Sequence, residues 1–214
     1  MRIPSNQPGT PEAGLAAASA TVHNHVRQWL ERAVLGLNLC PFARPVHENG
    51  LLPVRVVWVR DEISLLIILE QELRALNESE AEQVESSLLV HPVVLQSFSD
   101  YNSFLDRVDD TVNLLGLNGV IQVASFHPDY QFAGVAADDI TNCTNRAPYP
   151  MLHLLRESSV GGAVDSLRDP ASIPERNQKT LETLGRNGWD QLSSAWKPDR
   201  PTDRPTQTTL PPDS

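Results

Sequence analysis

Leu88-Leu-Val-His-Pro92 and Gly119-Val-Ile-Gln-Val-Ala-Ser-Phe-His-Pro128 are two short apolar runs, each closed by a histidine and a proline. Runs of this length, bounded by turn formers, predict buried strands, the first continuing to Leu95 if it is read through Pro92. Between them Phe104, Val108, Val112 and Leu115 recur at helical spacing, which predicts a helix over about 101–115, with Gly116 placed to end it. Strand, helix, strand is the repeating unit of an α/β layer.

The chain upstream repeats the unit. Val54-Arg-Val-Val-Trp-Val59 follows Pro53 and predicts a first strand, and Asp61 is placed to cap a helix running to about Leu76. Ile63 to Leu69 is apolar enough to be read as a strand instead, and Glu78 to Glu85 is an acidic connector. Before that unit, Val22, Val26, Trp29, Leu30, Ala33, Val34 and Leu37 form the stripe of an amphipathic helix that Asn38 and Cys40-Pro41 stop. The fold class is therefore α/β: a small sheet of three or four strands covered by helices around a βαβαβ core, with a ferredoxin-like split arrangement as the alternative. Downstream of Pro128 comes a long Gly/Asn/Pro-rich loop, and helices are expected near 151–157, 161–168 and 174–186.

The 214 residues suit one domain, expected over 16–196. Residues 1–15 and 197–214 are expected to be solvated, Pro-rich tails. Seventeen Lys and Arg against 27 Asp and Glu give a net charge of −10, which repels phosphate backbones and argues against nucleic acid or an anionic membrane as partner. No apolar stretch has the length of a membrane span, and the run Leu15 to Ala20 lacks the apolar middle of a secretion signal, so a cytoplasmic location is expected. Two cysteines make no disulfide scaffold. Gly-x-Ser-x-Gly, phosphate-loop and Gly-x-Gly-x-x-Gly motifs are missing, which lowers serine hydrolases, P-loop nucleotidases and dinucleotide-dependent dehydrogenases in rank.

The chemistry concentrates where the strands end. If strands two and three are parallel neighbours, His91 and His127 both emerge at the carboxyl edge of the sheet, where open α/β folds bind ligands. The loop after His127 carries Tyr130, Asp138, Asn145 and Arg146 and leads to His153, Arg156 and Glu157, which share one face if that segment is helical. His91, His127 and His153 are candidate catalytic acids and bases, with Asp138 orienting an imidazole. Arg146 and Arg156, supported by Asn145 and Tyr130, are candidates to hold a small anionic substrate. His127, His153 and Glu157 are a candidate divalent-metal set of two histidines and a carboxylate. The competing account is that each strand-end histidine bonds a backbone group and that Glu157 is merely solvated. Cys40 is an alternative reactive thiol, although its place after a helix C-terminus disfavours a thiolate.

Asn38-Leu-Cys-Pro-Phe-Ala43, Leu89-Val-His-Pro92, Ser125-Phe-His-Pro-Asp-Tyr-Gln-Phe-Ala-Gly134, Asn145-Arg-Ala-Pro-Tyr-Pro-Met-Leu-His-Leu-Leu-Arg-Glu157 and Ile173-Pro-Glu-Arg-Asn177 together resemble the DUF1415 family of uncharacterised bacterial proteins. The resemblance spans about residues 20–190 and implies a common fold unit and site more than any one reaction. Two positions depart from it: Cys143 stands where an aromatic residue is expected, and Ala147 where a serine is. A catalytic role for that serine would be lost here, whereas a binding role for the loop survives. Two functions are thus expected to compete, a small-molecule enzyme at the sheet edge and a non-catalytic binding or regulatory domain using the same loop.

Overall fold

A computed structural model describes residues 11–159 and 172–198. Four strands form one mixed sheet: β1 (Val54–Val56), β2 (Ser86–Val90), β3 (Ile121–Phe126) and β4 (Met151–Arg156), in the order β1-β2-β4-β3. β1 and β2 are parallel, and β4 runs antiparallel to both β2 and β3. The helices are α1 (Pro11–Trp29), continued by a π-helical turn over Leu30–Leu35, α2 (Ala43–Glu48), α3 (Glu62–Glu78), α4 (Phe98–Leu114) and α5 (Ile173–Ser193). A 3₁₀ turn spans Ile140–Thr144.

The α/β class holds, with one correction to the topology. Strands two and three share a direction but are not neighbours, because Met151–Arg156 lies between them as a strand and not as the expected helix. Leu and Met favour helices in isolation, but here the segment has an open sheet edge on each side. Its backbone pairs with both, Leu152 opposite Leu89 and Ser125, Leu154 opposite Ser87 and Val123. Buried backbone groups need partners more than side chains need their preferred dihedrals.

Helices cover both faces, unlike the split arrangement held as the alternative. On one face Val22, Val26, Trp29, Ala33 and Val34 pack with Leu181 and Trp189 against Leu88, Val90 and Met151. On the other, Leu65, Leu69, Leu73, Tyr101, Phe104 and Val108 pack against Leu89, Ile121, Leu152 and Leu154. α3 and α4 begin where their capping residues place them: Asp61 accepts from Ser64 N at 2.8 Å and Ser97 accepts from Asp100 N. The apolar run Ile63–Leu69 is therefore helix. α4 ends at Leu114, and Gly116 just beyond its C-cap Leu115 turns the chain away with a φ of +69° that suits a residue without a β-carbon.

Several boundaries differ from expectation: β1 stops at Val56 and not Val59, β2 stops at Val90 without running through Pro92 to Leu95, and α5 runs past 186 to Ser193. α1 starts at Pro11, inside the expected tail, because proline is tolerated in a helix's first turn and an alanine-rich run follows. The expected helix over 161–168 and the tails 1–10 and 199–214 lie outside the described residues. Among those described, no helix is long and apolar enough to cross a membrane.

Candidate functional site

β3 and β4 are consecutive antiparallel strands, so the chain from His127 to Pro150 must turn back over the carboxyl edge of β2 and β3. His91 and His127 leave the sheet at that edge and flank Tyr101 of α4, with ring centroids 5.9 Å and 5.1 Å from it. The Tyr101 hydroxyl donates to Met151 O at 2.8 Å and accepts from Phe126 N at 3.1 Å, pinning the ends of β3 and β4 together. Burial raises the Tyr101 pKa, so the phenol stays protonated.

Both imidazoles are occupied by backbone. His127 Nε2–H donates to Leu95 O at 3.2 Å, while its Nδ1 accepts from Asp129 N at 3.0 Å. His91 Nδ1–H donates to Val94 O at 3.1 Å. The two rings thus hold the β2–α4 connection, where Leu95 sits at a φ of +59°. Burial lowers the pKa of His127 and pushes His91 down to about 4, so His91 is neutral at pH 7. Its Nε2 is then a bare lone pair. Among the described residues it is the one buried side-chain nitrogen or oxygen without a hydrogen-bond partner.

The third histidine does not join them. His153 pairs with Leu88 and Ala124 in mid-strand and therefore points to the α1 face, where its Nε2 lies 3.1 Å from Ser86 Oγ and burial lowers its pKa to about 4. Arg156, an odd number of residues along the strand, points to the opposite face. Its guanidinium donates to Leu76 O at 2.6 Å, to Ser79 O and to Val84 O at 3.2 Å, tying the end of α3 to the sheet at the amino edge. The shared helical face of His153, Arg156 and Glu157 does not exist, because the segment is extended. Four extended residues separate His153 from Glu157 by roughly 13 Å. The metal set His127, His153 and Glu157 accordingly does not assemble, and among the described residues no three His, Cys, Asp or Glu side chains converge.

The loop supplies the rest. Asn145 Nδ2 donates to Ser125 O at 3.1 Å and Tyr130 packs its ring between Phe98 and Phe132, so both brace the loop. Asp138 is exposed, and its engaged atom is the backbone carbonyl, not the carboxylate. Arg146 donates to Tyr130 O at 3.2 Å and Ala137 O at 2.7 Å, and its own carbonyl accepts from Trp29 Nε1 at 3.0 Å. The π-helical turn begins one residue after Trp29. Cys143 is buried beneath this loop with Arg186 Nη1 3.9 Å from its Sγ, and burial raises its pKa against the pull of Arg146 and Arg186. Cys40 is half-buried and its thiol is likewise raised by burial.

A cleft of about 1020 Å³ opens between this loop and α5. Arg146, Arg186 and Lys197 bring cations to it, Asp129 and Asp190 bring carboxylates, and Trp58, Tyr149, Trp189 and Trp196 bring rings. Of the residues singled out in the sequence as anion binders, Arg146 alone lines it. Arg186 was missed because the helix expected over 174–186 ended there. Gly185 inside that pattern was the available signal: its φ of 67° and ψ of 172° break α5 and turn Arg186 towards the loop, where it donates to Asp138 O.

Fold and cleft together define an α/β fold with a mixed four-stranded sheet and a ligand-sized hollow beside its carboxyl edge. The chain belongs to the DUF1415 family, a protein family of unknown function whose model matches residues 21–191. No curated protein and no solved structure matches it.

Proposed function

We propose that this domain binds a small anionic molecule in the cleft beside the sheet's carboxyl edge, with Arg146 and Arg186, both anchored on the loop carbonyls of Ala137 and Asp138, gripping its acidic group. The observation that carries this reading is that Arg146, Arg186 and Lys197 line one hollow of a chain whose net charge is −10. Each guanidinium is held in place by backbone carbonyls and keeps N–H groups to offer, so little ordering is needed on binding. A screen of carboxylates and phosphates by thermal shift tests it. A ligand at a hundred times its Kd adds about 2.7 kcal/mol. That gain should shrink in Arg146→Gln and Arg186→Gln; equal gains in all three proteins, or none in any, refute the proposal.

A catalytic reading has one specific observation in its favour, the unpartnered neutral Nε2 of His91, which is able to accept a proton. Consumption of the bound anion by the wild type but not by a His91→Asn variant that still binds it with unchanged affinity supports it. Stabilisation without turnover leaves the binding reading alone.

A further inference from the structure

We infer that the ligand of this cleft is a monoanionic aromatic acid, a deeper statement that rests on the anion reading above. An isolated carboxylate or phosphate does not fill about 1020 Å³, a volume at the upper end of those that enclose whole organic ligands. The walls say what the remainder of the molecule is. Three of the chain's four tryptophans, Trp58, Trp189 and Trp196, line the hollow together with Tyr149, and the fourth, Trp29, anchors the Arg146 carbonyl. Aromatic residues are only 6% of the chain, so this gathering is not a sample of its composition.

The rings come from separate places: the end of β1, the end of the long loop, α5 and the turn after α5. Trp189 and Trp196 meet edge-on at 6.0 Å with planes 77° apart, an arrangement that presents both a face and an edge to a third ring. Neither of their indole N–H groups has an acceptor among the described residues, and neither counts among the buried unpartnered atoms. The fixed charges set the ligand's own. Among the described residues Arg146, Arg186 and Lys197 stand against Asp129 and Asp190, and the Asp139 carboxylate also feels Arg186, so the hollow has at most one positive charge to spare, enough for a monoanion and too little for a dianion.

Naphthoate, naphthalenemethanol and acetate separate the parts of this inference when titrated calorimetrically into the full chain. Naphthoate should bind. Naphthalenemethanol should bind about tenfold or more weakly, because it lacks the charge-assisted hydrogen bonds, and acetate should give no heat at the same concentration. Arg186→Gln should weaken naphthoate about tenfold while leaving naphthalenemethanol within about twofold, and Trp58→Leu, at a half-buried position, should weaken both. Naphthoate binding no tighter than acetate overturns the aromatic part and leaves the anion reading standing. Naphthalenemethanol binding as tightly as naphthoate overturns both, whereas the absence of heat from all three overturns the aromatic part alone.

Discussion

His91 should make the protein acid-sensitive by a calculable amount. The ring is wholly buried, stacks on Tyr101, and has its pKa pushed from 6.5 to about 4 by desolvation. In the unfolded chain the same imidazole takes up a proton near 6.5, so over the interval between these values the unfolded state binds more protons than the folded one. Stability is complete above about pH 6.5 and falls as pH drops, until the folded ring also protonates near 4. The difference between the two pKa values corresponds to about 3 kcal/mol lost between pH 7 and pH 4. Carboxylates titrate over part of that range, so a variant isolates the histidine. His91→Asn keeps a side-chain N–H for Val94 O and removes the titrating lone pair. Urea unfolding of both proteins at steps from pH 7 to pH 4 should show the variant weaker at neutral pH, because it loses ring volume, yet losing about 3 kcal/mol less than the wild type on acidification. Two curves that stay parallel across the interval refute the reasoning: the ring would then be solvated or protonated in the folded state.

Arg156→Gln should cost about 2–3 kcal/mol in the same unfolding assay, since three carbonyls lose a charged donor, while naphthoate affinity stays unchanged because the residue sits at the other edge of the sheet. A matching loss of affinity would place Arg156 in the site after all. Gly185→Ala forces a β-carbon into a φ of 67°, so a loss of about 1–3 kcal/mol is expected together with weaker naphthoate binding as Arg186 is displaced. Unaltered stability would mean the break in α5 is not held. Cys40 and Cys143, both raised above the ordinary thiol pKa by burial, should react with Ellman's reagent at pH 7 about tenfold or more slowly in the folded protein than after unfolding; rapid labelling of Cys40 would revive it as a nucleophile.

The parts of the fold legible in the sequence are those with local causes. Asp61 and Gly116 mark helix ends because capping and positive φ are properties of one residue and its neighbours. The stripes of α1, α3 and α4 are legible because one face of each meets the sheet. Met151–Arg156 was not, for its state is decided by β2 and β3, far away in sequence, whose open edges it fills. That one misassignment also carried away a third of the expected site, His153, Arg156 and Glu157. A helix gathers His153, Arg156 and Glu157 on one face; a strand sends His153 and Arg156 to opposite sides of the sheet. The placement of His91 and His127 at one edge survived, because both strands keep their direction whether or not they touch. Their competing, plainer reading is also the one realised for three of the four ring nitrogens, which are bound to backbone groups.

The inserted strand also determines where the cleft lies. A parallel neighbour of β2 needs a crossover along one face of the sheet, and its polar connection would lie there. An antiparallel β4 returns directly from β3, so residues 127–150 stay at the carboxyl edge and deliver Arg146 to Tyr149 just beyond the ends of β2 and β3. The floor on the other side comes from Pro92, Val93 and Gln96, the segment whose carbonyls His91 and His127 hold. Substituting either histidine should therefore disturb the cleft even if neither ring ever meets the ligand. For His127 the rescue by a residue that keeps an Nε-type donor decides between a peg and a reactant: His127→Gln restores the bond to Leu95 O but cannot carry a proton. Recovered binding in that variant assigns His127 to the scaffold, and binding restored without any change in its pH profile leaves the histidine no chemical part in the site.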